Sequence, residues 1–251
     1  MKRAVVFLLV LVVVYSVFTV SALAEDTKTY LSNEFDTIVK THNANDVENA
    51  LIEAGWKKIP QKQVLDPMAA EPAGCVTIDH TVWKKTSGGV TSYHLQARWD
   101  WDDTATCKPN SGSGKVPDVI AVGLVDQNQN SVNVQAEEPR IMVYDEDGNP
   151  YLEHGGSSDI FSSGATYTIT DTIDKDGHFI GAFGFAYFEV DKPSGATKYY
   201  LKSKYVHTSA SSSVGIKKFE ISYPWSVTLE FNSTTTVDKL EKAWQTEVKF
   251  D

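Results

Sequence analysis

The chain has 251 residues, 41% of them hydrophobic, with 33 Asp and Glu against 23 Lys and Arg, a formal net charge of −10. That apolar content suffices for a buried core and excludes a disordered chain. The acidic balance weighs against nucleic acid or an anionic lipid surface as partner, because both are bound through basic patches.

Lys2 and Arg3 precede an apolar run over Ala4–Val20, and Ala22-Leu23-Ala24 has the small-x-small form of a leader cleavage site. Residues 1–24 therefore read as a signal peptide, and the chain as secreted or held at the cell surface. Left uncleaved, this run would be a membrane anchor, the only route to a membrane that the sequence offers. Cleavage removes Lys2 and Arg3 and takes the charge from −10 to −12. In an oxidising compartment two cysteines pair, so a Cys75–Cys107 disulfide is expected, contributing about 3–4 kcal/mol by the loop-entropy estimate.

Residues 25–60 read as a helical segment. Helices are expected over 26–41 and 46–54, the second from Val47, Ala50, Leu51 and Ala54 at helical spacing with Gly55 just past its end. Trp56 and Ile59 would pin this segment to the body; a removable pro-segment is the alternative. Pro60, Pro67 and Pro72 mark a linker over 61–73. Residues 74–251 then form one mainly β domain, an antiparallel β-sandwich carrying a C-terminal amphipathic helix.

From Val76 the apolar period becomes two. A two-residue turn at Gly88-Gly89 sets Val76 opposite Trp101, Ile78 opposite Trp99, His80 opposite Ala97 and Val82 opposite Leu95 on an apolar face. The other face pairs Asp79 with Arg98 and Thr77 with Asp100. Trp99 and Trp101 thus belong to the core, while Asp100 and Asp102 face away from it.

The loop 110–115, NSGSGK, lacks the spacing of a phosphate loop. Strands are expected over 119–125, 131–136 and 139–144. The acidic turn from Asp145 to Pro150 resembles a calcium loop, but Val143 and His154 fail its terminal ligand positions, so a plain turn is expected. A second acidic turn, at Asp174 and Asp176, fails the same test. A hairpin around Asp176-Gly177 would pair Ile173 with Ile180, Ile169 with Gly184 and Tyr167 with Ala186. A further hairpin would set residues 197–207 against 180–190, placing Lys202 and Lys204 opposite Phe185 and Phe183 beside Tyr187. Phe185, Tyr187 and Lys202 are then candidate binding residues, with lysine stems lying over aromatic rings as the plainer reading.

Residues 219–231 alternate without exception, from Phe219 to Phe231, with Pro224 demanding an edge or a bulge. Asn232-Ser233-Thr234 has the form of a glycosylation acceptor. Val237, Leu240, Trp244 and Val248 trace one face of a helix over 236–249.

There is no His-Glu-x-x-His, Cys-x-x-Cys, serine elbow or nucleotide fingerprint. No cofactor and no metal are expected, and no catalytic residue is assigned. The expected function is an exported, non-catalytic binding or surface-interaction protein for an unidentified ligand or cell-surface component, with Asp100, Asp102, Phe185, Tyr187 and Lys202 as binding candidates. The alternative is a secreted hydrolase of polysaccharide or peptide using the carboxylates of Asp100 and Asp102, which stand ~7 Å apart on one strand face.

Overall fold

Two successive glycines in the left-handed region, Gly88 at φ 55° and Gly89 at φ 80°, turn the chain between β3 (Val76–Ser87) and β4 (Val90–Trp101). The register is the expected one throughout, from Val76 opposite Trp101 to Ser87 opposite Val90. The computed structural model describes residues 23–64, 76–101, 118–133, 137–154, 159–161, 163–169, 172–173, 179–209, 216–222, 226–231 and 238–250.

Two helices come first, α1 (23–41) and α2 (Val47–Glu53), close to the expected ranges. The other strands are β1 (Lys57–Ile59), β2 (Lys62–Val64), β5 (Asp118–Asp126), β6 (Glu137–Asp145), β7 (Pro150–His154), β8 (Asp159–Phe161) and β9 (Gly164–Ile169). They continue with β10 (Thr172–Ile173), β11 (Phe179–Val190), β12 (Tyr199–Ser209), β13 (Ile216–Ser222), β14 (Ser226–Phe231) and β15 (Asp238–Val248). One sheet runs β1-β3-β4-β11-β6-β7 with β10 beside β11; a second runs β2-β15-β12-β5-β9-β8; β13 and β14 form a third, two-stranded sheet. Every pairing is antiparallel. The molecule is mainly β and sandwich-like, as the alternating sequence implies.

Between the two large sheets lies one apolar core. Ile78, Val82, Leu95, Trp99, Ile141, Val143 and Phe188 come from the first sheet, and Ile120, Val122, Leu124, Tyr167, Leu201 and Val248 from the second. Trp99 is wholly buried and its indole N–H donates to the Gly181 carbonyl at 3.2 Å. Gly184 stands opposite Trp99 in the register, and a β-carbon there would run into the indole and the Met142 carbonyl. The glycine is what lets the ring lie flat against β11.

Both helices lie on the other face of the first sheet. Leu31, Phe35 and Val39, spaced by four on α1, join Val47, Leu51 and Trp56 in a second core against Trp83, Met142, Tyr144, Phe183, Phe185 and Tyr187. The helical segment is therefore a third layer over a sheet buried on both sides, pinned by Trp56 and Ile59 as expected. Among the described residues no helix is long and apolar enough to cross a membrane.

Two expected pairings are corrected. β9 pairs with β5 in the second sheet, not with β11, and of the proposed hairpin only Thr172 and Ile173 meet β11, opposite Ile180 and Phe179 and so one residue out of register. β12 pairs with β5 and β15, whereas β11 pairs with β4 and β6, so residues 197–207 do not face 180–190. Both errors joined neighbours in sequence that belong to different sheets; alternation along a strand sets which face is inward and not which strand it pairs with.

The C-terminal helix is likewise corrected, because residues 238–248 form β15. Leu240, Trp244 and Val248 are spaced by four, which lies on one face of a helix and equally on one face of a strand. The alternating run 219–231 is two strands, with Ile221 opposite Val227 and Phe219 opposite Leu229. Odd positions face odd positions, so the alternation survives the turn. Pro224 falls in the three residues between β13 and β14, outside the described residues.

The acidic turn at Asp145 has a twin at Asp126. Asp145 Oδ1 accepts from the Asp147 and Asn149 N–H groups at 3.0 and 2.7 Å, and Oδ2 from Asn149 Nδ2 at 3.2 Å. Asp126 Oδ1 does the same for Asn128 and Asn130 at 2.7 and 2.9 Å, with Asn130 Nδ2 on Oδ2 at 3.1 Å. Both carboxylates organise their own turns. The fourth residue is left-handed in each, Gly148 at φ 81° and Gln129 at φ 67°.

Candidate functional site

The face beneath α1 is a grid fixed by strand register. Down β4 run Ser92, His94, Gln96, Arg98 and Asp100. Beside them on β11 stand Glu189, Tyr187, Phe185 and Phe183, opposite His94, Gln96, Arg98 and Asp100 respectively. β6 adds Arg140, Met142 and Tyr144, and β3 adds Trp83 opposite His94 and Lys85 opposite Ser92.

Three consecutive residues of α1 engage this grid. Phe35 stacks on the His94 imidazole, centroids 4.0 Å apart and planes 10° from parallel, with the Trp56 ring edge-on to both. On one side Glu34 Oε2 accepts from Lys85 Nζ at 2.5 Å and from the Trp56 indole at 3.0 Å. On the other, Asp36 takes the Tyr187 hydroxyl at 2.5 Å, Arg140 Nε at 3.3 Å and Lys40 Nζ at 2.5 Å. An aromatic ring is flanked by two carboxylates, each closed on a cation of a different strand. Tyr144 adds a bond from its hydroxyl to the Val39 carbonyl at 2.7 Å. Burial, reinforced by the Asp36 charge, raises the Tyr187 hydroxyl well above its ordinary pKa, so it stays protonated and donates to Asp36.

The fit is incomplete at the centre. Both ring nitrogens of His94 and the amide nitrogen of Gln96 are buried without a hydrogen-bond partner, although the Gln96 carbonyl accepts from the Trp83 indole at 3.1 Å. Burial lowers the His94 pKa to about 3, so the ring is neutral at physiological pH. Each such orphan group costs ~1–3 kcal/mol.

Phe185 and Tyr187 lie buried on the face beneath α1, and Lys202 does not share it. Lys202 is on β12 of the second sheet, between Gly123 and Gln245, and is buried. The cation over Phe183 and Phe185 is an arginine: the Arg98 guanidinium lies 5.6 Å from the Phe183 ring and 5.9 Å from Phe185. Asp100 stands at the rim, half-exposed, and accepts from Arg98 at 3.1 Å. Asp102, Cys75 and Cys107 lie outside the described residues, as do the second acidic turn, the 110–115 loop and Asn232. Sequence reasoning missed Glu34, Asp36, His94, Gln96, Lys85 and Arg140. Their signal is the polar alternation Ser92, His94, Gln96, Arg98 on a strand whose other face is core; uncharged polar groups in that row suit a face that is covered.

Two further histidines sit in the sandwich. His80 meets hydroxyls at both nitrogens, Thr246 Oγ1 at 3.0 Å and Ser203 Oγ at 2.7 Å, and burial lowers its pKa to about 3. It is a neutral imidazole tying β3 to the second sheet. His207 Nδ1 lies 2.9 and 3.0 Å from the two Asp118 oxygens, and the Tyr205 hydroxyl donates to Asp118 at 2.6 Å and accepts from the Trp101 indole at 3.3 Å. This is a histidine and carboxylate pair, but Asp118 is wholly buried and His207 nearly so. The geometry joins the ends of β4, β5 and β12.

A cavity of about 410 Å³ opens where α1 begins, lined by Ala24, Glu25, Lys28, Thr29, Ser32, Asn33, Val90, Glu189 and Asp191. Lys28 Nζ sits on Asp191 at 2.9 Å and the Ser92 hydroxyl donates to Glu189 at 2.7 Å.

Comparison with protein-family models gives no match for the chain, and a search of curated proteins finds no similar sequence.

Proposed function

We propose that this protein is an exported, non-catalytic binding protein, and that its recognition surface is the aromatic and cationic face of the first sheet, on which α1 is the resident occupant. The observation that carries this reading is the seating of Glu34-Phe35-Asp36: an acidic-aromatic-acidic segment held by Lys85, Arg140, Tyr187 and the His94 ring, yet leaving His94 and Gln96 unsatisfied. A segment of the same type that adds an acceptor for the N–H groups and a donor for the bare imidazole nitrogen would satisfy those groups and compete with α1. The favoured partner class is an acidic amphipathic helix, a recognition mode in which an apolar stripe fills a groove and charges fix its register. Export rests on the leader-like run before Glu25.

The test uses a fluorescent peptide of residues 25–41 and the chain from Glu25 carrying Phe35→Ala and Asp36→Asn to loosen α1. The peptide is expected to bind the loosened protein, and a peptide with Phe35 replaced by Ala is not. No binding of either peptide to a folded, loosened protein would remove this face as a recognition surface.

A further inference from the structure

We infer that the cavity at the start of α1 is a seat for a primary ammonium group, and that its occupant is the chain's own α-ammonium at Glu25, created by cleavage after Ala24. The inference rests on the export reading above. The two residues that flank the bond to be cut, Ala24 and Glu25, both line the cavity. Hydrolysis adds water across their amide: Ala24 leaves as a carboxylate with residues 1–24, and Glu25 keeps the amine, which takes up a proton. Departure of Ala24 vacates part of the wall at the point where the new charge arises.

The lining suits that charge. It contributes three carboxylates, Glu25, Glu189 and Asp191, against the single ammonium of Lys28, with oxygen acceptors from Thr29, Ser32 and Asn33. Lys28 on Asp191 at 2.9 Å shows that an ammonium is already taken up at this wall. Glu189 is only 3% exposed and accepts from the Ser92 hydroxyl, and a carboxylate so buried is stabilised further by a nearby cation. A bare ammonium at the first turn of a helix is opposed by the helix dipole and needs nearby anions; Glu189 and Asp191 supply them from β11 and the residue after it. Cleavage would thus tie the first turn of α1 to the sheet, completing a clamp that Glu34 and Asp36 make further along.

The charged groups facing the amine are Glu25 and Lys28 from α1 and Glu189 and Asp191 from the end of β11; Val90 of β4 adds none. An ammonium paired with carboxylates has its pKa raised above the ordinary α-amino range of about 7.7–8.0. Its stabilisation is then complete below about pH 7.7 and is lost as pH rises through the higher folded value.

Two chains test this: one starting at Glu25, and one with Gly-Ser before Glu25, each also made with Asp191→Asn and with Glu189→Gln. Thermal unfolding at pH 6.5 is expected to give the Glu25 chain a midpoint about 2–4 °C above the extended one, a gap that closes by about pH 10 and is erased in the Asp191→Asn and Glu189→Gln backgrounds. Equal midpoints at pH 6.5, with both chains folded by near-ultraviolet circular dichroism, overturn the inference. Methylammonium that raises the midpoint of both chains alike would show a seat for free amines and overturn the assignment to Glu25. N-terminal sequencing of exported protein reads the export proposal separately: a start other than Glu25 sinks that premise whatever the stability pair shows.

Discussion

His94→Phe is expected to make the protein more stable and less sensitive to acid. The imidazole is 2% exposed, its nitrogens are unpartnered, and burial lowers its pKa to about 3. In the unfolded chain the ring titrates near 6.5, so between those values the unfolded state binds the extra proton. For a histidine with a depressed folded pKa, stability is intact above about pH 6.5 and falls as pH drops toward 3. At pH 5 the loss from His94 alone is about 2 kcal/mol, and at pH 4 about 3 kcal/mol, from the proton linkage of those two pKa values. Phenylalanine keeps a flat ring against Phe35 and removes both the orphan nitrogens and the titration, so at pH 7.5 the variant should gain at least about 1 kcal/mol. Urea unfolding of both proteins at pH 7.5 and pH 5.0 measures this. His80, also held near 3, titrates in both and cancels in the comparison. Equal losses between the two pH values, or a variant that is less stable at pH 7.5, would refute the account of His94 as a buried neutral ring without partners.

Three other perturbations test the remaining layers. Asp36→Asn should cost about 2–3 kcal/mol in denaturant unfolding, below the ~3–5 of a fully buried pair because Lys40 and Arg140 keep 26% and 21% of their side chains exposed; an unchanged midpoint would mean α1 is not held by its carboxylates. Trp99→Ala should lose about 3–5 kcal/mol in the same measurement, and a wild-type midpoint would contradict its place in the core. Gln129→Gly should gain about 0.5–1 kcal/mol, because it relieves a left-handed φ of 67° and removes a buried carbonyl that has no partner, read as a rise in melting temperature.

The sandwich was legible wherever local chemistry forced one answer. Gly88-Gly89 permits a two-residue turn and little else, and a one-residue slip would have put Arg98 and Asp100 in place of Trp99 and Trp101 on the apolar face. The sheet membership of β9 and β12 was not legible, because neither the apolar run of β9 nor the Lys202 and Lys204 of β12 says which strand lies alongside. β15 was misread because a spacing of four satisfies both periods; Thr246, between Trp244 and Val248, was the sign of a strand, since its hydroxyl faces inward to His80. The site was half legible. Phe185 and Tyr187 belong to it, but their partners come from α1 and β6, more than 40 positions away in sequence.

The wiring of the second sheet also sets when this protein can fold. β15, drawn from residues 238–248, lies between β2 and β12, pairing Gln245, Thr246 and Glu247 with the short segment 62–64 and Tyr199–Ser209 with its whole length. Until those last residues arrive, β12 has an open edge, β2 has no neighbour, and His80 lacks one of its two hydroxyls. The second sheet so arranged stays unclosed until residues 238–248 have been made, since long-range pairing is rewarded only after its loop is closed. The second sheet is thus completed from its C-terminal strand, after the first sheet has all of its strands.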